Sequence, residues 1–416
     1  MDRFEICGGT TLNGVVKVPC AKNSYLAILA ACVLSSGEVY LHNCPKFDDI
    51  EKMLQILSSL GCRVKREENI LILNCSQINN CVIPKELAKK IRSSIFLLGP
   101  ILGRLKKAVV TYPGGCDIGS RPIDLHLKGL KYLNVKITEK FGLIECDASS
   151  MIGENVHLDY PSVGATENIM MAAVLAKGVT KIFNAAKEPE IVDLQNFINK
   201  MGGKIYGAGT DTITIIGVDK LSSVEYTPIP DRIIAGTYLL ATASCGGDVT
   251  IKNVEYEHIY SLITKLKYSG YDLNLKGDTI RLVSKGPKNA FGSIETLPYP
   301  GFPTDLQPQG LVLQTVSNGT TIIRENLFET RFKHVPELIK MGANIITRDR
   351  MSIVTGVKKL YGAEVYCSDL RAGAALTIAG MIAEGKTILN DVHNIDRGYE
   401  SLEEVFNSLG ANIKRF

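Results

Sequence analysis

The sequence lacks most features that mark membrane, secreted, metal-binding or nucleic-acid-binding proteins. Its longest apolar stretches, around 25–34 and 372–383, are too short to cross a bilayer. The first residues form a strand pattern without the apolar core of a signal peptide. The net charge is only +4 over 416 residues, and Lys and Arg are scattered, which argues against a nucleic-acid partner. We therefore predict a cytoplasmic protein with neither a membrane nor a nucleic-acid partner.

The eleven cysteines also lack a metal-binding arrangement. No C-x-x-C pair occurs, and no histidine stands near a cysteine at metal-ligand spacing. We expect reduced, mostly buried thiols and no metal site.

What the sequence does contain is a short phrase repeated along its length. A small or hydrophobic residue is followed by Gly or Asn and then by a strand pattern. The second residues of the six copies are Gly61, Asn134, Gly202, Gly270, Gly342 and Gly410. Copies stand 68 to 73 residues apart, which is the length of a supersecondary unit. This period predicts an α/β protein of two domains with three units each.

The last unit shows the expected order of elements. Its pattern predicts a helix over 372–383, a strand over 386–389, a helix over 399–408 and a strand over 412–416. The first helix is rich in Ala and Gly, so we expect such helices to line each domain's interior. Glycines expected to end the first helix are Gly37, Gly103, Gly178, Gly246, Gly319 and Gly385.

Polar residues mark the start of that first helix in every unit. They are Lys22 and Asn23, Arg92, 162–164, Asp231 and Arg232, Thr304 and Asp305, and 369–371. Helix capping accounts for Ser162 and Asp231 at these positions no better and no worse than ligand binding does. It does not explain Lys22, Arg92 or Arg371, because a cation opposes the helix dipole unless an anion lies between them. These helix starts therefore indicate a phosphate-binding cleft.

The second unit alone has about seven additional residues between its glycine and its repeat phrase. They fall in the loop 111–122, which is rich in Gly and Pro and has Cys116 at its centre. Cys116 is either an incidental exposed thiol or a proton donor or nucleophile tuned by Arg121.

Two other residues allow both a structural and a chemical interpretation. Asp305 either stabilises a helix start or acts as a general base. Arg397 either pairs with Asp396 or Glu400 or contacts a ligand.

Taken together, these residues resemble the UDP-N-acetylglucosamine 1-carboxyvinyltransferases of the enolpyruvyl transferase family. Ten segments carry the resemblance: 22–23 (KN), 92–95 (RSSI), 113–116 (PGGC), 119–126 (GSRPIDLH), 162–166 (SVGAT), 188–193 (EPEIVD), 302–305 (FPTD), 328–332 (FETRF), 369–371 (DLR) and 395–400 (IDRGYE). They extend from the first predicted helix to the last, so the resemblance covers the whole chain.

The resemblance implies a two-domain inside-out α/β barrel built from six βαβαββ-type units. One domain would hold residues 22–229, with the Cys116 loop. The other would hold 1–21 and 230–416, with Asp305 and Arg397, and the active site would lie between them.

The implied reaction moves the enolpyruvyl group of phosphoenolpyruvate to the 3′-hydroxyl of UDP-N-acetylglucosamine and releases phosphate, the first committed step of peptidoglycan synthesis. Lys22, Arg121 and Arg397 would hold phosphoenolpyruvate, with Asn23 beside them. Asp305 would take the hydroxyl proton. Cys116 would donate a proton and form an adduct with phosphoenolpyruvate, which also makes it the target of fosfomycin.

The resemblance also implies a binding site for the UDP-sugar and no cofactor or metal. The remaining substrate-binding residues would be Arg92, Pro122, Ile123, Asp124, Leu125, Ser162, Val163, Gly164, Leu327 and Arg371. The chain departs from some family members at Tyr160, where they have a lysine. The oligomeric state stays open.

Two alternatives remain at this point. A 5-enolpyruvylshikimate-3-phosphate synthase would share the fold and the phosphoenolpyruvate chemistry, but it gives no reason for the Gly-Gly-Cys loop. A non-catalytic repeat scaffold or DNA clamp would not need a reactive loop, and a clamp would have basic rather than Ala-rich inner helices.

Overall fold

The computed structural model describes residues 2–114, 118–119 and 122–416. The chain forms two compact units. Among the described residues, unit 1 comprises 2–19, 118–119 and 230–416, and unit 2 comprises 20–114 and 122–229. Both units are mixtures of helices and strands, so the α/β class is confirmed.

The strands are short and distributed over the whole chain. In chain order they are β1 (Arg3–Cys7), β2 (Leu12–Lys17), β3 (Glu38–His42), β4 (Arg63–Glu67), β5 (Ile70–Asn74), β6 (Lys107–Thr111), β7 (Lys136–Lys140), β8 (Leu143–Asp147), β9 (Asn155–His157), β10 (Val179–Phe183), β11 (Lys204–Tyr206), β12 (Thr212–Ile216), β13 (Val224–Tyr226), β14 (Gly247–Lys252), β15 (Asp272–Lys276), β16 (Thr279–Ser284), β17 (Ser293–Glu295), β18 (Thr320–Arg324), β19 (Asn344–Arg348), β20 (Met351–Thr355), β21 (Glu364–Tyr366), β22 (Lys386–Asn390) and β23 (Asn412–Arg415).

The helices alternate with these strands. They are α1 (Lys22–Ala31), α2 (Asp48–Ser59), α3 (Lys85–Ala88), α4 (Leu98–Leu105), α5 (Asp124–Tyr132), α6 (Val163–Ala173), α7 (Pro189–Lys200), α8 (Arg232–Cys245), α9 (Tyr260–Tyr268), α10 (Gln307–Val316), α11 (Val335–Lys340), α12 (Leu370–Ile382) and α13 (Leu402–Ser408). Short 3₁₀ helices span Cys32–Leu34, Arg92–Leu97, Tyr256–Ile259, Thr304–Leu306 and Val392–Asn394.

The described strands form six small sheets, three in each unit. Five of them share one pattern, a parallel pair followed by two antiparallel pairs, as in the order β17-β18-β20-β19. The sixth, β6-β8-β7, has only the antiparallel pairs, and an isolated parallel bridge from Val82 to Val109 stands where the fourth strand would be. Similar lengths of sequence therefore build similar sheets.

The core of unit 1 is a set of helices in mutual contact, α8, α10 and α12. Almost every residue of these helices is buried, whichever way it points. Small residues make this possible: a Cβ at Gly236 would lie 2.5 Å from Leu306, and one at Gly380 would lie 2.9 Å from Ile6. In unit 2, α4 and α6 make an equally close contact.

The polar residues at the helix starts act partly as caps. Ser162 accepts a hydrogen bond from the Ala165 amide, and Asp231 accepts from the Ile233 and Ile234 amides. The capping interpretation of Ser162 and Asp231 is therefore confirmed, which does not exclude a second role.

Two details of the sequence interpretation are wrong. Of the glycines expected to end the first helices, only Gly246 caps one, at the end of α8. Gly103 lies inside α4, which is capped by Lys106 in the left-handed conformation with φ 62°. The remaining four lie two to four residues after the capping residue: Gly37, Gly178, Gly319 and Gly385. The last helix begins at Leu402 rather than 399, because Ser401 also has left-handed dihedral angles. Tyr399 is thereby left in a loop and is 2% exposed.

The expectation of reduced thiols is also wrong for one pair. Cys62 and Cys75 form a disulfide with Cα atoms 4.3 Å apart. The antiparallel pairing of β4 and β5 sets Arg63 opposite Asn74, so the cysteines just outside these residues face each other. Eight other cysteines in the described ranges form no disulfide, and four of those are buried.

Among the residues described, no helix is both long enough and apolar enough to cross a membrane.

The contact between α4 and α6 can be tested at Gly99. A Cβ at this position would lie 2.2 Å from the Asn168 carbonyl oxygen, a backbone atom that cannot move away alone. We expect Gly99→Ala to lower the free energy of unfolding by about 2–3 kcal/mol, measured by chemical denaturation. Gly310→Ala is the matched control, because its nearest neighbour would be 3.4 Å away. It should leave stability unchanged or raise it by up to about 1 kcal/mol; equal losses in both variants would contradict this packing argument.

Candidate active site

The start of α1 in unit 2 places Lys22 in a buried, paired environment. Lys22 is the first residue of the helix and 9% exposed, and its Nζ lies 3.3 Å from Asp49 Oδ2. Asn23 follows it and is half-buried. The paired lysine remains a charged group at a helix start, where the backbone amides also favour anions.

Asp193 fixes the same end of α1. Its carboxylate accepts hydrogen bonds from the Ser24 hydroxyl, from Tyr226 Oη at 2.6 Å and from the Ile229 amide at 3.2 Å. Burial raises the pKa of Asp193, while these hydrogen bonds oppose that shift. Lys22 and Asn23 therefore stand on a helix end that is held in place.

Four predicted UDP-sugar residues line one pocket of about 430 Å³ in unit 2. They are Arg92, Pro122, Ile123 and Asp124. The pocket is completed by Tyr112, Leu127, Lys128, Lys131 and Glu139. Leu125 lies on the same helix, α5, but does not line the pocket. The mixture of cations, acids and apolar side chains suits a polar anionic ligand with an apolar face.

The start of α6 lies beside this region. Ser162 is the cap of α6, and Val163 and Gly164 begin it. A Cβ at Gly164 would lie 2.9 Å from the His126 ring and 3.1 Å from the Phe96 ring. The structure thus brings 162–164 close to α5 and to the 3₁₀ helix that Arg92 begins.

His126 is buried at this junction. Its Nδ1 lies 2.8 Å from Asn168 Nδ2, which also donates to the Ile95 carbonyl at 3.0 Å. Burial, and secondarily the charge of Arg92, lowers the pKa of His126 to about 3. The imidazole is therefore neutral in the folded protein near pH 7, with Nδ1 as the acceptor.

Asp305 is the centre of the site in unit 1. It lies in the 3₁₀ helix that precedes α10. Arg371 donates from Nε at 3.1 Å and Nη2 at 2.9 Å to Oδ2, and Arg331 donates from Nη2 at 2.8 Å to Oδ1. The Asp305 side chain is 26% exposed, whereas the arginine side chains are 3% and 2% exposed. The two guanidinium groups favour the anionic carboxylate, and the Asp305 side chain remains partly exposed.

Arg371 stays charged despite its burial. Burial alone lowers its pKa, but the Asp305 carboxylate and the Tyr399 hydroxyl outweigh this, so that the pKa lies above its ordinary value. Arg371 is also the second residue of α12, whose cap, Asp369, accepts from the Arg371 amide at 2.9 Å. The helix start and the ion pair fix the two ends of this side chain.

Glu325 links Leu327 to the Asp305 segment. Its Oε1 accepts from the Leu327 amide at 2.9 Å, and its Oε2 accepts from the Thr304 hydroxyl at 3.0 Å. Glu325 is fully buried. It thus connects the loop after β18 to the residue before Asp305.

Arg397 lies after the last 3₁₀ helix and is half-buried. The neighbouring Asp396 carboxylate binds Arg415, whose Nη1 lies 2.9 Å away. Cys116 and Arg121 lie outside the described residues. Between them in the sequence, the Ile118 carbonyl accepts a hydrogen bond from the Thr330 amide at 3.2 Å.

Sequence reasoning missed three residues of this site. Arg331 belongs to segment 328–332, which carries the resemblance, but no role was predicted for it. Glu325 was not considered, and Tyr399 was predicted to lie in a helix. A buried charge in a loop is a signal that only the structure supplies. No group of three or more His, Cys, Asp or Glu within the described ranges has the arrangement of a metal site.

The family of the chain follows from comparison with known sequences. Residues 6–406 match the sequence model of the family described as EPSP synthase (3-phosphoshikimate 1-carboxyvinyltransferase), so the chain belongs to this family of carboxyvinyltransferases.

Full-length relatives narrow the comparison. The chain is 51% identical to UDP-N-acetylglucosamine 1-carboxyvinyltransferase 2 of Caldanaerobacter subterraneus, with 100% of both sequences covered. It is 50% identical to UDP-N-acetylglucosamine 1-carboxyvinyltransferase 1 of Carboxydothermus hydrogenoformans, covering 100% of the chain and 98% of the relative. The resemblance inferred from the ten segments is confirmed.

Solved structures agree in fold. The enolpyruvyl transferase NikO from Streptomyces tendae superimposes with a TM-score of 0.90 at 24% identity, covering 100% of this chain and 98% of that one. EPSP synthase from Acinetobacter baumannii gives a TM-score of 0.77 at 17% identity, with both chains fully covered.

The buried imidazole of His126 makes stability depend on pH. Below about pH 6.5 the unfolded chain binds a proton at this residue that the folded protein does not, so folding stability falls by up to about 1.4 kcal/mol per pH unit. We expect His126→Gln to reduce the slope of unfolding free energy between about pH 6.5 and 4.5, measured by denaturant titration at each pH. His157→Gln, at an exposed strand position, is the control. A slope unchanged by His126→Gln and reduced by the control would contradict the assignment.

Proposed function

We propose that this protein transfers the enolpyruvyl group of phosphoenolpyruvate to the 3′-hydroxyl of UDP-N-acetylglucosamine and releases phosphate, the first committed step of peptidoglycan synthesis. The observation that carries the proposal is the 51% identity, over the full length of both chains, to a relative named for this activity. The geometry around Asp305 and the pocket of unit 2 support it independently.

In the proposed chemistry, Asp305 takes the proton of the sugar hydroxyl. Its carboxylate is partly exposed and can accept a hydrogen bond from a hydroxyl group, and the arginines hold its orientation. The hydroxyl oxygen then bonds to C2 of phosphoenolpyruvate, and Cys116 protonates C3. The resulting tetrahedral adduct then returns a proton from C3 to the Cys116 thiolate and loses phosphate from C2, which takes the proton held by Asp305. This restores the vinyl group on the product and both catalytic groups.

The proposal assigns phosphoenolpyruvate to the cations Lys22, Arg121 and Arg397, with Asn23 beside them. The support is chemical: phosphate and carboxylate groups are bound by charge-assisted hydrogen bonds, which also stabilise charge as it develops. The buried ammonium of Lys22 at the start of α1 suits this role. These cationic side chains require no resident metal or cofactor.

The proposal assigns the UDP-sugar to Arg92, residues 121–125, residues 162–164, Leu327 and Arg371. The pocket lined by Arg92, Pro122, Ile123 and Asp124 supports it, since a volume of about 430 Å³ suits part of a nucleotide sugar.

We also propose that the six sheets are six pseudo-repeats of an inside-out α/β barrel, three in each domain. The shared strand pattern and the buried inner helices support this. The functional domains would be 22–229 and 1–21 with 230–416, and residues of both would serve one reaction in the cleft between the domains. A cytoplasmic location belongs to the proposal, supported by the eight cysteines of the described residues that form no disulfide, against one disulfide pair.

The reaction can be tested by measuring phosphate release. We expect release when the purified protein receives phosphoenolpyruvate with UDP-N-acetylglucosamine, and none with either substrate alone. Shikimate 3-phosphate replaces the acceptor in a parallel reaction, because the matching family is described by that activity. Release with shikimate 3-phosphate only would overturn the proposal in favour of the shikimate enzyme, and release with neither acceptor would favour a non-catalytic scaffold.

The role of Cys116 has its own prediction. We expect Cys116→Ser to lower kcat by about 100-fold or more, because a hydroxyl is a much weaker acid than a thiol. Fosfomycin should add its mass to the wild-type protein and not to this variant. Cys116→Asp should retain turnover without being alkylated, since a carboxylic acid can donate the proton.

Cys81→Ser is the control for Cys116, because Cys81 is a partly exposed thiol that forms no disulfide. It should keep both the activity and the mass increase. Full activity of Cys116→Ser would show that the loop thiol is not the proton donor.

A further inference from the structure

Four polar side chains meet inside unit 1 behind Asp305. Thr237 belongs to α8, Gln309 to α10, Arg371 to α12, and Tyr399 to the loop before α13. All four are at most 2% exposed. Three helices and a loop thus converge on one cluster without access to solvent.

The direction of the hydrogen bonds at Tyr399 follows from the groups around it. Thr237 donates its hydroxyl proton to the Ile233 carbonyl at 2.8 Å, so it must accept from Tyr399 Oη at 2.9 Å. Gln309 Nε2 donates both of its protons, to Thr237 at 3.1 Å and to Tyr399 at 3.3 Å. The Tyr399 oxygen is therefore left as an acceptor toward the remaining group, Arg371.

Arg371 is the donor to the Tyr399 oxygen, and it uses the guanidinium nitrogen that does not contact Asp305. Its Nη1 donates to Tyr399 Oη at 3.2 Å, while Nε and Nη2 both donate to Asp305 Oδ2. The Arg371 guanidinium carbon also lies 5.5 Å from the centre of the Tyr399 ring. The tyrosine thus contacts the guanidinium through both its hydroxyl and its ring, on the side away from the carboxylate.

We infer that Tyr399 is a positioning residue for the transfer reaction. Its hydroxyl prevents the Arg371 guanidinium from rotating about its long axis, and this keeps the Nε and Nη2 edge on Asp305. The inference rests on the proposed function, in which Asp305 takes the substrate proton. Without the hydroxyl, a buried charged N–H of Arg371 loses its acceptor, which weakens the hold on the guanidinium group.

Tyr399→Phe isolates this contribution, because it retains the ring and its contact with Arg371. We expect kcat to fall about tenfold or more, since a hydrogen bond to a charged group is lost. KM for phosphoenolpyruvate should stay within about twofold, because Tyr399 is buried and acts on Asp305 only through Arg371.

Tyr271→Phe is the matched control in the same unit. Tyr271 is 3% exposed, its hydroxyl donates to the Ala243 carbonyl at 3.3 Å, and it accepts from the Lys288 amide at 3.0 Å. The control therefore loses a buried hydroxyl with similar hydrogen bonds, but none that reach Asp305. It should lose stability as Tyr399→Phe does and keep its kcat. Equal losses of kcat in both variants, or a Tyr399→Phe variant with normal kcat, would overturn the inference.

A measurement that needs no turnover separates this inference from the proposed function. In ¹⁵N-arginine-labelled protein, the Nε–H signal of Arg371, identified by its absence in Arg371→Lys, should exchange with water about tenfold faster in Tyr399→Phe. It should be unchanged in Tyr271→Phe. If the wild type proved inactive with both substrates, the proposed function would fail, and the exchange rate would still decide whether Tyr399 holds Arg371. An unchanged rate in Tyr399→Phe overturns the inference whatever the activity.

Discussion

Complete burial of the inner helices is the constraint on which the rest of unit 1 depends. A helix with no exposed face needs small side chains where its neighbours approach, and it needs a partner for every polar group. The hydroxyl groups of Thr237, Thr242, Ser244 and Thr377 meet this requirement within their own helices, each donating to the carbonyl four residues earlier. These hydroxyl groups are therefore satisfied within their own helices, whereas amide atoms of Gln307, Gln309 and Gln314 in α10 are buried without a hydrogen-bond partner.

Charged groups are consequently confined to the ends of these helices. Arg371 is buried at the start of α12, and removing either partner of a buried ion pair typically costs about 3–5 kcal/mol. Asp305 and Tyr399 meet its requirements on opposite sides. The same contacts that make a buried arginine tolerable also fix the carboxylate that the proposed reaction uses, so stability and function depend on one arrangement.

The sequence was sufficient for the features that are local or repeated. The α/β class, the starts of α1, α6 and α12 and the family were readable from periods, caps and motifs. Pairs of residues far apart in the sequence could not be predicted in this way. Asp305 and Arg371 are 66 positions apart and were predicted as separate site residues, and no local pattern marks Arg331. Tyr399 was misplaced because its spacing fits the helical period of α13, and only the left-handed Ser401 excludes it from the helix. The Cys62–Cys75 pair depends on strand register, which no cysteine motif reveals.

The charge balance around Asp305 gives this arrangement a chemical consequence. Two buried arginines, Arg331 and Arg371, are paired with Asp305, and Asp369 lies 3.9 Å from Arg331. These opposite charges favour the ionised form of the Asp305 carboxylate, so the arginines do not make it a stronger base. Their contribution to the proposed reaction is orientation, because both guanidinium groups hold the carboxylate in one position while it accepts the hydroxyl proton.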